Sequence, residues 1–243
     1  MSKEEMLRTT SASVAIGIIQ GVVSIVEDFS EEQGLDLSDF SVSWRLIDLL
    51  REDPWRVLES GKVSVYSSRV SEAYTREVEV ADSIVAITIE PGYGEADFRG
   101  LYGEPVKLLR LDREMIRERA VRTSRTGIEY MFLYLSDGRV AMFEGEHFRV
   151  RLPFVESSAS VHTHPEGACG LSVADIQSGL DLLVSGGLLS AAATPSCVAF
   201  MHRLGLVSED DYFAVKEAIY RRRVQDLFGP VKLRTIVFGV SPY

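Results

Sequence analysis

The chain opens on a long stretch, Thr9 to Val26, in which no residue carries a charge. Val14, Ile18, Val22 and Ile25 recur along one side at helical spacing, and Ser13, Gly17, Gln20 and Ser24 along another. That pattern predicts an amphipathic core helix from about Thr10 to Asp28. The acidic SEEQGLDLSD that follows predicts a loop, and a second helical stretch begins near Ser38. Asp53-Pro54 offers an N-cap and a first-turn proline for a further helix, which Gly61 would stop. The period then shortens. Val63–Ser67 and Glu77–Glu90 are rich in Val and Ile with partial alternation and predict strands. PGYG at 91–94 predicts a turn.

The second half has a clearer grammar. Asp112 predicts the cap of a helix reaching about Arg122. Ile128–Leu135 and Val140–Phe143 are apolar runs split by Ser136-Asp137-Gly138, which predicts a hairpin. Phe148–Val155 and Ala159–His164 read as further strands, and Ser172–Ser185 as a helix stopped by Gly186-Gly187. Leu188–Ala193 and Cys197–Arg203 are strand candidates. A helix over Ser208–Phe228 ends at Gly229-Pro230, and Lys232–Val240 is a last strand. The most natural boundary lies between Gly103 and Asp112. It divides an N-terminal α+β region, residues 1–108, from a mixed α and β domain, residues 109–243.

At 243 residues the chain suits one large domain or two small ones, and 46% hydrophobic residues allow a sizeable core. The net charge of −10 argues against nucleic acid as a partner and against an anionic membrane surface. Residues 1–110 hold 11 Lys+Arg and 20 Asp+Glu, a net of −9. Residues 111–243 hold 15 and 16, a net of −1, so the two regions expose different surfaces. Asn is absent, Gln occurs four times, and Arg outnumbers Lys 21 to 5, a thermophile tendency. The uncharged N-terminal stretch approaches the length of a membrane span. Its small polar face, and the mixed charge of MSKEEMLR before it, favour a core helix over a span or signal peptide. The expected location is the cytoplasm.

Candidate chemistry concentrates in VHTHPEGACGLSVAD, Val161 to Asp175. In a strand, alternate side chains share a face, so His162 and His164 project together. Pro165 ends the strand, and a loop with two glycines leads to Ser172 and Asp175. Two His and one Asp make three metal ligands with a fourth position open, the catalytic rather than the structural zinc pattern. Ser-x-x-Asp is also a capping box. Ser208-Glu209-Asp210-Asp211 shows the same signature with no HxH beside it, so Ser172-x-x-Asp175 alone indicates a cap.

The combined pattern, His162-Thr163-His164-Pro165, six residues, then Ser172-Val173-Ala174-Asp175, resembles the H-S/T-H-P-x6-S-x-x-D signature of the JAMM (MPN+) zinc metalloproteases. The resemblance covers roughly residues 112–243. It implies a cytidine-deaminase-like, MPN-type mixed sheet flanked by helices, giving an α+β fold overall. It implies one Zn²⁺ per chain on His162, His164 and Asp175, with water as fourth ligand. A Glu on an early strand would serve as general base. Glu129, in IEYMFLYL, matches that place, with Glu144 and Glu146 as rivals. Ser172 would donate a hydrogen bond to the oxyanion. The 33 residues from Glu129 to His162 are few for the eukaryotic deubiquitinating members, so substrate-gripping insertions are expected to be reduced.

Cys169 lies in the ligand loop and Cys197 opens a later strand. Free thiols, a further soft ligand at Cys169 and a disulfide between the two all remain open from the residues. The resemblance to archaeal members, some of which brace this loop with a disulfide, favours the third. His147 and His202 read as structural or surface residues, and Arg221-Arg222-Arg223 as a solvated helix face. The leading expected function is an isopeptidase or peptidase acting at the C-terminus of a small ubiquitin-like modifier or its conjugates. The alternatives are a zinc hydrolase of small peptides or amides in sulfur-carrier metabolism, and a partner-binding scaffold. The acidic N-terminal region could recruit a basic partner, mediate a homodimer, or cover the site.

Overall fold

The computed structural model describes residues 3–147, 157–165, 167 and 169–242, with the backbone alone for 3–6, 146 and 147. The fold is mixed α+β with two mixed sheets. Helix α1 spans Ser11–Gln33. Thr10 caps it by accepting the Ser13 amide at 3.1 Å, and the Ser13 hydroxyl accepts the Thr10 amide at 2.8 Å. The helix runs a turn beyond the sequence expectation. Glu31, Glu32 and Gln33 extend it on an exposed side until Gly34, at φ 64°, stops it.

Among the described residues, seven strands form the larger sheet: β1 (Lys3–Arg8), β7 (Ile128–Leu135), β8 (Val140–His147), β9 (Ser157–Thr163), β10 (Leu189–Ala193), β11 (Cys197–Arg203) and β12 (Ile236–Pro242). Their order is β1-β8-β7-β9-β10-β11-β12, with β9 and β10 parallel and the remaining pairs antiparallel. The smaller sheet, in the order β4-β5-β3-β2-β6, comprises β2 (Phe40–Val42), β3 (Lys62–Ser67), β4 (Tyr74–Val80), β5 (Ser83–Pro91) and β6 (Ala96–Asp97). Helix α1 lies between the sheets, touching β4 and β5 on one side and β7 and β9 on the other. Helix α5 (Arg113–Thr126) packs on the same face of the larger sheet as α1. Helices α6 (Val173–Val184) and α7 (Glu209–Tyr220) cover the opposite face.

This placement changes the reading of α1. By length and composition it could cross a membrane, yet most of its apolar stretch is buried inside the protein. Of the residues expected on a polar face, Ser24 is exposed and Ser13, Gly17 and Gln20 are contact points. Ser13 Oγ donates to Gly138 O at 2.7 Å, and Gln20 Nε2 to Gly186 O at 3.2 Å. Gly17 lies directly against the Gly138 backbone.

Contacts cross the boundary expected near residue 108. Strand β1 completes the edge of the larger sheet beside β8, and one apolar core runs from α1 through both sheets. Helix α4 (Glu104–Leu108) passes without a loop into a 3-10 turn, Leu109–Asp112. A buried ion pair joins Arg203 to Glu27, which also accepts the Tyr102 hydroxyl at 2.6 Å. Within residues 1–108, β1 is therefore a strand of the site-bearing sheet, and α1 shares the cover of one of its faces with α5.

Smaller corrections have local causes. Near Ser38 the chain makes a 3-10 turn (Leu37–Asp39) and then β2, before α2 (Trp44–Glu52). Asp53 ends α2, and α3 (Trp55–Ser60) has Pro54 at its N-cap with no side-chain bond. The run Glu77–Glu90 is two strands. They are joined at Ala81-Asp82, both at positive φ, where Ala81 N donates to Asp137 O at 2.7 Å. Asp112 does not cap α5 with its side chain. Its carboxylate is buried, accepting from Thr10 Oγ1 at 2.9 Å and Tyr134 Oη at 3.0 Å. The helix expected over Ser208–Phe228 breaks at Arg222 (φ 54°) into α7 and a 3-10 turn, Val224–Phe228. The expected strand Phe148–Val155 lies outside the described residues.

A Cβ at Gly17 would sit 2.9 Å from Gly138 Cα and N, both backbone atoms. Alanine at an open helix position gains about 0.5–1 kcal/mol over glycine, whereas overpacking a core contact costs about 1–3 kcal/mol. Gly17→Ala is therefore expected to destabilise the protein by about 1–2 kcal/mol in urea unfolding. The exposed Ser24→Ala is expected to change stability by less than about 0.5 kcal/mol.

Candidate metal centre

Strand β9 sits between β7 and β10, so its position is set from both sides. His162 lies opposite Met131 of β7 and beside Ala192 of β10. His164 follows the last paired residue, but its amide still donates to Ala193 O at 2.8 Å, which extends the strand by one residue. The period of two then puts both imidazoles on the α6 face. Thr163, between them, points to the opposite face, where α5 lies.

The third candidate ligand, Asp175, comes from the start of α6. Ser172 Oγ accepts the Asp175 amide at 3.2 Å, and Asp175 Oδ2 accepts the Ser172 amide at 2.6 Å. The capping box is real, and it orients the carboxylate. Gly179 lets α6 lie close to the sheet, since a Cβ there would meet Met201 Sδ at 2.6 Å and Ser190 Cβ at 3.0 Å.

His162 Nε2 and His164 Nε2 are 2.9 Å apart. Asp175 Oδ1 is 3.0 Å from His162 Nε2, and Oδ2 is 3.3 Å from His164 Nε2. In metal-binding form each of these atoms presents a lone pair to the others, so a proton or a metal ion between them would satisfy the cluster. A tetrahedral ion with ligands at about 2.0–2.1 Å separates them by about 3.3 Å. The two imidazole nitrogens stand a few tenths of an ångström closer than that, each faces a different oxygen of Asp175, and with one donor atom per residue all three lie within 4.8 Å of one another. Among the described residues this is the group of three or more His, Cys, Asp or Glu side chains able to hold a metal ion. His162 is buried and His164 and Asp175 are partly exposed, so the cluster opens on one side.

The electrostatics match the geometry. Burial alone would raise the Asp175 carboxyl, but hydrogen bonds to both imidazoles hold it far below the ordinary carboxylate range. Burial opposes protonation of His164, yet the Asp175 hydrogen bond and the charges of Asp175 and Glu129 raise its proton affinity. Burial raises the Glu129 carboxyl, against the charges of His162 and His164 and with that of Asp175. Glu129 thus lies within electrostatic reach of the ligands.

No protein-family model, curated protein or solved structure matches this chain. The assignment of roles at the site therefore rests on its own geometry.

That geometry separates the carboxylate candidates. Glu129 stands two residues before Met131, on the face that His162 occupies. Glu144 is paired with Tyr130 across the β7–β8 ladder, and its carboxylate accepts the Tyr130 hydroxyl at 3.2 Å. It serves the α5 side. The Glu146 and His147 side chains lie outside the described ones. Ser172 is exposed, and because its oxygen accepts the Asp175 amide, its own proton remains free to donate. His202 is buried with Nδ1 3.1 Å from Arg203 O, and Arg221–Arg223 are exposed on the surface.

Cys169 and Cys197 form a disulfide with Cα atoms 6.2 Å apart. It ties the ligand loop to the first residue of β11, close to the end of β10. A bridge over 28 residues is expected to contribute about 3–4 kcal/mol by restricting the unfolded chain. The Cys169→Ala/Cys197→Ala double variant should lose that much in denaturant unfolding, and adding reductant to it should change nothing further. Alkylation followed by intact-mass measurement should find no free thiol in the native protein.

Proposed function

We propose that the protein is a zinc-dependent hydrolase of amide bonds, of the JAMM type that its histidine motif resembles. The observation that carries this reading is the convergence of His162, His164 and Asp175 at 2.9–3.3 Å, with Glu129 on the same face. The donor set, two imidazoles and one carboxylate, suits zinc and leaves a position open. When bound, zinc would supply Lewis acidity and activate water near neutral pH.

The remaining chemistry belongs to the chain. Glu129 takes a proton from the attacking water and delivers it to the leaving amine. Its raised proton affinity brings it closer to neutrality, which suits a group that must both accept and release a proton. The Ser172 hydroxyl donates to the oxyanion that develops on the substrate carbonyl. The cap formed with Asp175 holds that hydroxyl still. The substrate class we favour is the C-terminal tail of a small ubiquitin-like modifier, joined to a lysine or to its own precursor extension. A Gly-Gly tail is thin enough to reach a centre flanked by a strand end and a helix start.

Purified without added metal, the wild-type protein is expected to carry about one zinc per chain. Asp175→Ala should lose most of it. Glu129→Gln should keep the zinc and lose about 10²–10⁴-fold in kcat on a modifier–lysine conjugate. A wild-type protein that neither carries zinc nor takes it up would remove the hydrolase reading. It would leave Ser172 and Asp175 as a helix cap.

A further inference from the structure

The backbone around Glu129 has little ordinary sheet support. Its ladder to β9 ends at the pair Met131 and His162. On the other side, β8 carries one extra residue. Ile128 pairs with His147 and Tyr130 with Glu144, so two β8 residues oppose Glu129. A strand end beside a bulge is where a side chain loses its fixed direction.

Two buried threonines occupy that gap. Tyr130 N donates to Thr163 Oγ1 at 2.8 Å. Thr163 Oγ1 and Thr123 Oγ1 are 2.6 Å apart, and Thr123 Oγ1 donates to Ile128 O at 2.8 Å. Each hydroxyl has one proton, so the direction follows. The Thr123 proton goes to Ile128 O, and of the two acceptors near the Thr163 hydroxyl, Thr123 Oγ1 at 2.6 Å and Tyr130 O at 3.5 Å, the shorter contact takes its proton. The relay runs from the Tyr130 N–H through both hydroxyls to the Ile128 C=O. Those two groups belong to the two peptide units that flank Glu129. Both threonines are fully buried, so water cannot replace either hydroxyl.

We propose that Thr123 and Thr163 are positioning residues, whose hydroxyl relay clamps both peptide units of Glu129 and so aims its carboxylate at the metal centre. The proposal rests on the reading of Glu129 as the proton carrier. It also gives the central residue of His162-Thr163-His164 a task of its own. Its neighbours face the ligand side, while it reaches through the sheet to α5 and back to β7. Valine matches threonine in shape and lacks the hydroxyl, and serine keeps the hydroxyl. The comparison of Thr→Val with Thr→Ser therefore isolates the relay from packing.

The test has two arms on the full chain. In the metal-free protein, amide hydrogen exchange is followed by NMR along β7 in wild type, T163V, T163S, T123V and T123S. The Tyr130 amide is expected to exchange about tenfold faster or more in T163V, and within about twofold of wild type in T163S. Phe132 and Tyr134 should keep wild-type rates. Equal acceleration along all of β7 would make Thr163 a packing residue and overturn the proposal. In the zinc-loaded protein, T163V and T123V should keep zinc content and KM and lose about tenfold or more in kcat, with the serine variants within about threefold. A loosened Tyr130 amide with unchanged kcat would overturn the positioning role. A wild type that holds zinc but does not hydrolyse amides would count against the function proposed above. The exchange arm would still decide whether the clamp exists. Should a valine variant fail to fold, its serine counterpart and the other threonine's pair carry the same comparison.

Discussion

Helix α1 has apolar residues on nearly every side, and an apolar cylinder of that length must be covered all round or left exposed to water. Two sheets provide the cover. The smaller one packs on the helix through β4 and β5, the larger through β7 and β9, and the helix is the layer between them. The close approach of Gly17 to Gly138 sets how near the β7–β8 turn can come. That turn starts β8, β8 pairs with β7, and β7 carries Glu129. The distance from the buried helix to the candidate site is thus a chain of direct contacts. Through β1 and α1 the N-terminal region is in direct contact with the sheet that bears the site.

On the other face of the larger sheet, the same economy holds for α6. Its first turn supplies Asp175 and its second half seals the apolar cluster beneath it, with Gly179 permitting the close approach. One capping box therefore serves two ends. It ends the unsatisfied amides of a helix, and it holds a carboxylate between two imidazoles. Ser172-x-x-Asp175 forms a helix cap, and that cap leaves the Asp175 carboxylate beside both imidazoles. The disulfide from Cys169 to Cys197 closes the loop between the two contributions, so the ligands on β9 and on α6 are held from three directions.

The lessons for reading such a chain lie in particular elements. Strands β7 and β11 were legible to the residue, because apolar runs bounded by turn residues have one economical solution. The Ala81-Asp82 turn was not legible. It lacks the Asn-Gly or Asp-Gly signal, and it is held by a hydrogen bond to Asp137, 56 positions away in sequence numbering. Asp112 looked like a cap by position and is a buried acceptor by contact, because Thr10 and Tyr134 arrive from distant parts of the chain.

Residue types and spacing were enough to name the candidate ligands and their local directions. Alternation in a strand and the first turn of a helix are properties of a few consecutive residues, so His162, His164 and Asp175 could be named from spacing. What only the tertiary structure decided was everything that depends on which strand lies beside which. Glu129 parted from Glu144 through the β7–β8 register, since directly opposed residues share a face and Glu144 is opposed to Tyr130. Thr123 and Thr163 lie 40 residues apart, and their contact exists only because α5 crosses the back of β9. The placement of residues 1–108 was hidden for the same reason. A boundary read from composition measures local change, whereas a domain is defined by what its core touches.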